Sequence, residues 1–556
     1  MVSKKVLPLG EDDFRIIREQ GYYYVDKTML VKDFITSGNK VMLITRPRRF
    51  GKTLNMTMLR DFFDITLNSR LNFQGLAIME TRYAPQINSL PVIYLSLKEC
   101  RGEKLNDLKS AVAEVVRKEY LRYKPILADV NRKDKEYSQY FKTLEMLEGD
   151  KLKDSLLKQS LFYLVQALHT RFGERPILII DCYDNLVIET KEKVREKFTS
   201  FYELFLTSVL KENPHLGQAI LTGIQYVARE RIFSKLNNIV VYTVLDDRYA
   251  PHFGLTKEQT AQLLMYYGLV LNDDVEAFYN GYLFSDVEIY NPWSIFNYAH
   301  FRQLGSYWTK TPSSELVHEF IDKAEDKFHE EFEELIENEE VTVKANLEES
   351  FIEYPGCETL WGLLVNEGYL TAISEDYELE ILTVKIPNHE MRNEFCMIVD
   401  KYTELSRDIF QSMRSAIIEG NIDGFFKTCE KLVLESLHHQ NSKENAYYMV
   451  VLGMIMYLRD LYDITSTVES GRSNNIIMKS TDTDQRPNII IELKQGKNIE
   501  KLKEKALKRA EEKISYIELS GNVLCVGFAH NKNEFETAHE LITDFVSMNK
   551  RPTQMP

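Results

Sequence analysis

Gly51-Lys52-Thr53 closes a basic loop, Arg46-Pro47-Arg48-Arg49-Phe50, that follows the short apolar run Val41–Thr45. Beyond it Leu54, Met58, Leu59 and Phe62 fall on one side of a helical pattern. Strand, loop and helix in that order let backbone N–H groups and a helix N-terminus cradle phosphates. Lys52 would then reach the β- and γ-phosphates of a nucleotide, and the Thr53 hydroxyl would face Mg²⁺. The usual spacing, G-x-x-x-x-G-K-[ST], asks for a glycine where this chain has Arg46. Taken alone, Gly-Lys-Thr is equally a helix start on a surface loop.

A second stretch decides between those readings. Ile177-Leu178-Ile179-Ile180 is an apolar run that ends in Asp181, placed to hold Mg²⁺ indirectly, opposite Thr53. The residue after it is Cys182, where an ATPase of this kind commonly has a glutamate that polarises the attacking water. Positioned general bases contribute roughly 10²–10⁴ in rate. Hydrolysis should therefore be slow unless Asp184, two residues on, reaches the water. Cys182 has no histidine near it in sequence and is not expected to be a nucleophile. Thr222, ending the run Leu221-Thr222-Gly223, is placed to sense the γ-phosphate. Arg229 and Arg231 either contact phosphate or form surface ion pairs.

A third candidate lies near the C-terminus. Glu492-Leu493-Lys494 ends the apolar strand Ile489–Ile491. Strand period two puts Glu492 and Lys494 on one face, where the carboxylate could hold Mg²⁺ and the ammonium could orient water. Asn474, upstream, stands where a second acidic ligand is needed, and a neutral amide holds a hard cation weakly. Glu444, from an earlier helix, would complete the set. The bland alternative is a cross-strand ion pair. The following helix has Lys501, Lys505, Lys508 and Arg509 at helical spacing, but Glu504, Glu511 and Glu512 are interspersed. A phosphate-tracking face and a solvated, ion-paired face are both open, the latter being the more ordinary.

The elements that must position these residues follow from periodicity. Five short runs, Lys40–Thr45, Pro91–Leu97, Ile177–Asp181, Gln218–Gly223 and Ile239–Val244, read as buried parallel strands. Helical stretches between them, notably Leu108–Tyr123 and Val194–Lys211, predict an open α/β sheet with right-handed crossovers. Residues 124–155, charged and Tyr-rich, read as an exposed helical insertion. Upstream, Tyr22-Tyr23-Tyr24 either stacks on a base or packs in the core, the commoner role. After Leu245 the pattern turns helical, with a long acidic helix over Glu315–Glu340 and a small mixed unit over 346–390. Asn388–Leu432 reads as helices. The last part contains helix Asn445–Tyr457, strands at Tyr462–Thr467, Asn488–Leu493 and Val523–Ala529, helix Glu500–Ile517 and a C-terminal helix Glu534–Met548.

Length and composition set outer limits. At 556 residues the chain has room for about three or four domains. A net charge of −15 argues against a surface coated with nucleic acid, while leaving room for a local basic groove. Six scattered cysteines without C-x-x-C fit a reducing cytosol with buried thiols rather than a disulfide framework or zinc site. Met1–Pro8 lacks an apolar signal core, and no run approaches a membrane span. A cytoplasmic location without membrane contact is expected.

Thr45 to Leu54, with Tyr22–Thr28 before it, resembles the bacterial AAA-ATPase-like proteins, which pair a P-loop ATPase with a C-terminal PD-(D/E)xK nuclease-superfamily domain. Supporting stretches are Leu221-Thr222-Gly223, Ile232–Asn238, Phe253–Thr256, Tyr279–Tyr282, Tyr290–Ser294, Gly368–Thr371, Ile386–Asn388 and Gly471–Ser473. The resemblance makes Arg46 a family trait and Arg46–Leu54, Asp181 and Thr222 the nucleotide site. It implies a P-loop parallel sheet of the additional-strand class, order 5-1-4-3-2, over residues 1–245. It further implies a helical lid at 246–345, a mixed and helical connecting region at 346–432 and a nuclease-like domain at 433–556. The family usually has glutamate at Cys182, often arginine at Tyr226, commonly histidine at Tyr448, and aspartate at Asn474. Those departures imply an ATP- and Mg²⁺-binding protein with weak or lost hydrolysis and a degenerate nuclease-like domain. The alternatives are an active ATP-regulated DNA nuclease, with Glu492 and Lys494 catalytic, and a non-catalytic scaffold.

Overall fold

The computed structural model describes residues 4–546 except 150, 228–235, 237, 309–316, 318–319, 322, 377, 440–444, 470–472, 518 and 532–533. Arg229, Arg231 and Glu444 therefore lie outside the described residues. Two compact units are present: residues 1–312 with 342–391, and residues 313–341 with 392–556. Among the described residues no helix is long and apolar enough to cross a membrane.

The first unit is an α/β fold on a five-stranded, wholly parallel sheet. Its strands are β1 (Val41–Thr45), β2 (Val92–Ser96), β3 (Ile177–Asp181), β4 (Ala219–Gly223) and β5 (Ile239–Tyr242), in the order β2-β3-β4-β1-β5. The five apolar runs of the sequence are these strands, to within one or two residues. β1 lies between β4 and β5, with Leu43 opposite both Leu221 and Val241. The core of the sheet is covered on both faces. Val41, Leu43, Ile93, Leu95, Leu178, Ile180, Ala219 and Leu221 pack into one large cluster with helices Leu105–Tyr123, Asp154–Phe172 and Glu192–Leu210. The alternate residues Met42, Ile44, Ile179 and Ile220 are equally buried, which is why these strands read as unbroken apolar runs.

Residues 124–155 differ from expectation. The helix Lys135–Glu148 is not an exposed insertion: Tyr137, Tyr140, Phe141, Leu144, Met146 and Leu147 are buried on one of its faces. Tyr140 stacks on Tyr120, ring centroids 4.8 Å apart, and its hydroxyl donates to the Tyr120 carbonyl. The tyrosines that suggested solvent exposure are amphipathic anchors.

The same unit continues beyond the sheet. A small antiparallel sheet of β6 (Leu255–Thr256), β7 (Tyr282–Phe284) and β8 (Val287–Tyr290) has the order β6-β8-β7. It is followed by helix Pro292–Phe301, capped by the Asn291 side chain, which accepts from Trp293 N and Ser294 N. Three strands, β9 (Glu340–Lys344) before the helix Cys357–Glu367 and β10 (Thr371–Asp376) and β11 (Ile381–Lys385) after it, form another small sheet.

Gly254 joins this region to the phosphate loop. Its N–H donates to the Phe50 carbonyl at 2.9 Å. Its φ is +91°, and a Cβ there would lie 2.2 Å from Ile289 Cγ2 and 3.0 Å from Phe50 Cδ1. Gly254→Ala is expected to cost about 1–3 kcal/mol through backbone strain and overpacking. A thermal unfolding midpoint several degrees below wild type checks this, and an unchanged midpoint contradicts it.

The second unit carries a five-stranded sheet, β12 (Tyr462–Glu469), β13 (Ser473–Ser480), β14 (Asn488–Gln495), β15 (Ser520–His530) and β16 (Phe535–Val546), in chain order. Only β14 and β15 pair in parallel, joined by helix Ile499–Ile514. Two expectations fail in this unit. The long helix over Glu315–Glu340 is interrupted at 323–325, between the helical residues Phe320 and Ile321 and the helix Asp326–Asn338, which leads at once into β9. The C-terminal helix is instead the strand β16, antiparallel to β15. Ala538 and Ile542, an even number of residues apart, pack on the cluster of Ile490, Leu507, Ala510 and Val523. Pairing with an already formed strand overrides helix-favouring composition there.

Candidate functional site

β1 delivers the chain to the loop, and Gly51, at φ +82°, turns it into helix Lys52–Phe63. That left-handed turn is where glycine is required. The Lys52 ammonium is buried and donates to the carbonyls of Arg46 and Pro47 at 2.8 and 2.7 Å. It thus spans the loop, using two of its three protons on it. Burial lowers its pKa, opposed by the nearby Cys182, Asp184 and Asp181.

Asp181, at the end of β3, meets Thr53 and Thr222. Thr53 Oγ1 donates to Asp181 Oδ2 and Thr222 Oγ1 to Asp181 Oδ1, each at 2.8 Å. Burial raises the Asp181 carboxyl, and the two hydroxyl bonds work against that rise. A buried carboxylate and a hydroxyl beside a phosphate loop are donors of the kind that a hard, oxygen-seeking cation takes. Thr53 and Asp181 fit Mg²⁺.

The other loop residues divide by role. Arg46 is fully buried, and its guanidinium turns away from the loop mouth. Its Nη1 donates to the carbonyls of Thr45, Tyr242 and Thr243 at 2.8, 3.2 and 2.5 Å. The same group lies over the rings of Phe253 and Phe284 at 5.6 and 5.2 Å, and burial pushes its pKa down to about 9. In place of the flexible glycine, Arg46 ties the start of the loop to the end of β5. Pro47 is buried. Arg48 Nε makes an ion pair with Glu367 Oε2 at 2.8 Å. Arg49, at φ +67°, donates to the Tyr307 carbonyl and lies 4.5 Å from the Trp293 ring centroid. Phe50 is buried between Tyr282 and Phe284, centroids 5.1 Å from each.

Four of the stretches that carried the family resemblance, Phe253–Thr256, Tyr279–Tyr282, Tyr290–Ser294 and Gly368–Thr371, thus meet the loop. Glu390, buried, accepts from Ser294 Oγ at 2.7 Å and from the N–H groups of Tyr307 and Trp308 at 2.6 and 2.8 Å. Trp308 Nε1 in turn donates to the Arg48 carbonyl at 3.4 Å. Sequence reasoning did not assign Glu390, Trp308 or Glu367 to the site. The motifs Tyr290–Ser294 and Gly368–Thr371 were the signal, but motif spacing does not show what they touch.

Cys182 has φ +55°, and burial pushes its thiol pKa up, so it stays protonated at neutral pH. Asp184 is buried, and its Oδ2 accepts from Ile224 N and Gln225 N at 2.7 and 2.9 Å. Burial raises its pKa, opposed by those two amides. This carboxylate joins the end of β3 to the loop after β4. Tyr226 is also buried nearby.

Beside Gly51 and Leu54 lies a small cavity of about 60 Å³. Tyr23, Tyr24, Val25, Leu54, Pro292 and Phe296 supply its apolar walls. Its polar lining includes Asn55, whose Nδ2 donates to the His252 carbonyl, and Lys27, which donates to Pro251 O and Gln259 Oε1. Burial brings the Lys27 pKa down to about 7. None of the described residues lining this cavity is Asp or Glu.

In the second unit, Glu492 is fully buried in β14. Its carboxylate is 3.2 Å from Lys513 Nζ and 3.6 Å from Arg509 Nη1. Lys494 is half-buried, and burial lowers its pKa. In the β13–β14 register Asn475 stands opposite Glu492, whereas Asn474 stands opposite Leu493. Directly opposed residues share a sheet face, so Asn475 rather than Asn474 holds the register position facing Glu492. Among the described residues no group of three or more His, Cys, Asp or Glu side chains could hold a metal.

A five-stranded parallel sheet with this strand, loop and helix is an α/β unit compatible with a P-loop NTPase-like domain. Residues 8–233 match the AAA-ATPase-like family, described as predicted AAA-ATPase, which supports an ATP-binding, P-loop-like protein. Over 319 residues the chain is 27% identical to an uncharacterized protein in the vnfD 5′ region of Azotobacter chroococcum mcd 1. That similarity takes in 56% of this chain and 55% of the relative, so the chain spans about half the length of the curated protein it matches.

Proposed function

We propose that the first unit binds ATP with Mg²⁺ and hydrolyses it slowly. The observation that carries this reading is the convergence of Lys52, Thr53, Asp181 and Thr222 at one loop. Backbone N–H groups from Gly51 onward and the Lys52 ammonium receive the phosphates. Thr53 and Asp181 hold Mg²⁺, which when bound neutralises charge on the β- and γ-phosphates. Slow hydrolysis follows from the two side chains that could take a proton from water. Cys182 keeps its own proton, and Asp184 already receives two backbone amides.

Calorimetric titration of the full chain with Mg-ATP tests this reading: saturable binding at one site is expected, and no binding would overturn the nucleotide site.

For the second unit we propose no metal chemistry. Lys513 and Arg509 already supply the positive charge next to Glu492 that a metal would bring. The degenerate reading of the nuclease-like domain rests on that ion-paired carboxylate. Mg²⁺-dependent DNA cleavage that disappears in Glu492→Ala and Lys494→Ala would restore the DNA nuclease alternative.

A further inference from the structure

Arg48 belongs to the phosphate loop, yet its charge is answered from outside it. The partner is Glu367, which is 6% exposed. Glu367 is the last residue of the helix Cys357–Glu367. A buried acid at a helix C-terminus is unfavourable without a cation, because the helix dipole is negative there. Arg48 supplies that cation. The contact is tight in backbone as well as charge. Gly368, at φ +88°, lies against Pro47, where an added Cβ would come within 2.9 Å of the proline Cβ. The Tyr282 hydroxyl then donates to the Gly368 carbonyl at 3.0 Å.

The closest approach of the ion pair runs from Arg48 Nε to Glu367 Oε2 at 2.8 Å, and a guanidinium carries four further N–H bonds on its terminal nitrogens with which to take phosphate oxygens. The Arg48 side chain is 34% exposed, and its charge acts on both Asp184 and Lys52. Arg48 directly follows Pro47, whose carbonyl accepts from the Lys52 ammonium at 2.7 Å, so it leaves the loop next to the lysine that meets the terminal phosphates in the ATP reading.

We propose that Arg48 senses the terminal phosphate of ATP, and that Glu367 is the counter-charge with which that phosphate competes. The proposal rests on the ATP reading above. A guanidinium binds phosphate oxygens through paired N–H groups more strongly than it holds a single-point carboxylate contact. With ATP, Arg48 turns to the phosphate and Glu367 loses its cation. The turn at Gly368 and β10, which follows it, then register the difference between ATP and ADP.

The test is calorimetric titration of the full chain with Mg-ATP and Mg-ADP, for wild type, Arg48→Ala, Arg48→Lys and Glu367→Gln, with unfolding midpoints as a check on folding. Arg48→Ala should weaken ATP about tenfold or more and ADP less than about threefold. Arg48→Lys, which keeps the charge and loses the fork, should fall between wild type and Arg48→Ala. Glu367→Gln should tighten ATP several-fold, roughly, and leave ADP unchanged, because the competing charge is gone. Equal losses for ATP and ADP in Arg48→Ala, or a Glu367→Gln variant that binds ATP no tighter than wild type, would overturn the sensor. Wild type that binds neither nucleotide would instead overturn the ATP reading and the sensor with it.

Discussion

Lys52→Ala is expected to abolish ATP binding. The ammonium bridges the Arg46 and Pro47 carbonyls across the loop and is buried there. Alanine leaves those two carbonyls without their donor and removes the positive charge aimed at the β- and γ-phosphates. Losing one partner of a buried charge contact to a bound ligand costs about 2–5 kcal/mol, which is a loss of affinity of roughly 30-fold to several thousandfold. Calorimetric titration with Mg-ATP should therefore show no heat beyond dilution at concentrations that saturate the wild type. The fold should survive, since the β1–β4 pairing and the Arg46 anchor do not depend on the ammonium. Affinity equal to wild type would remove the loop from the account.

Cys182→Glu is expected to raise ATP turnover by about 10²-fold or more, within the range that a positioned general base supplies. The thiol sits where its protonation responds to Asp181, Lys52 and Asp184, so a carboxylate there is at the heart of the site. Asp184 cannot substitute freely, because Ile224 N and Gln225 N hold one of its oxygens. Cys182 already carries the strain of its left-handed backbone, so glutamate adds little there; burying its carboxylate beside the acid of Asp181 is the cost, and the variant should unfold at a somewhat lower temperature than wild type. Phosphate release measured under saturating Mg-ATP checks the rate. A variant no faster than wild type would mean that another position limits hydrolysis.

How far the sequence reaches depends on whether contacts are local in the chain. The strand, loop and helix around Lys52 are contiguous, so one motif reveals their geometry. Asp181 and Thr222 were legible because each ends an apolar run, and parallel strands of one sheet bring such ends together. Glu367 and Glu390 were not legible. Glu367 reaches Arg48 from more than 300 residues away, and Glu390 is linked to the loop through Trp308, by packing that no spacing rule encodes. The small cavity beside the loop shows the same limit: Tyr23, Leu54 and Pro292 come from three separate stretches. Arg46 was legible as a family mark but not as an anchor, because its role depends on carbonyls at the end of β5. Register was the weakest point in the second unit. A shift of one residue exchanges the face of every side chain, and this exchanges Asn474 for Asn475 opposite Glu492. The final strand was misread for a related reason. Its sequence suits a helix, but β15 offers it an open edge to pair with.

The central claim is that this loop holds ATP and that the chain around it hydrolyses ATP slowly. Mixing the wild-type chain with an equal amount of radiolabelled ATP and Mg²⁺, then separating bound nucleotide over time, tests both halves at once. The account predicts one labelled nucleotide per chain, recovered mainly as ATP for minutes or longer, given a rate roughly 10²–10⁴ below that of an enzyme with its base in place. No retained label, or label recovered as ADP within seconds, would contradict it.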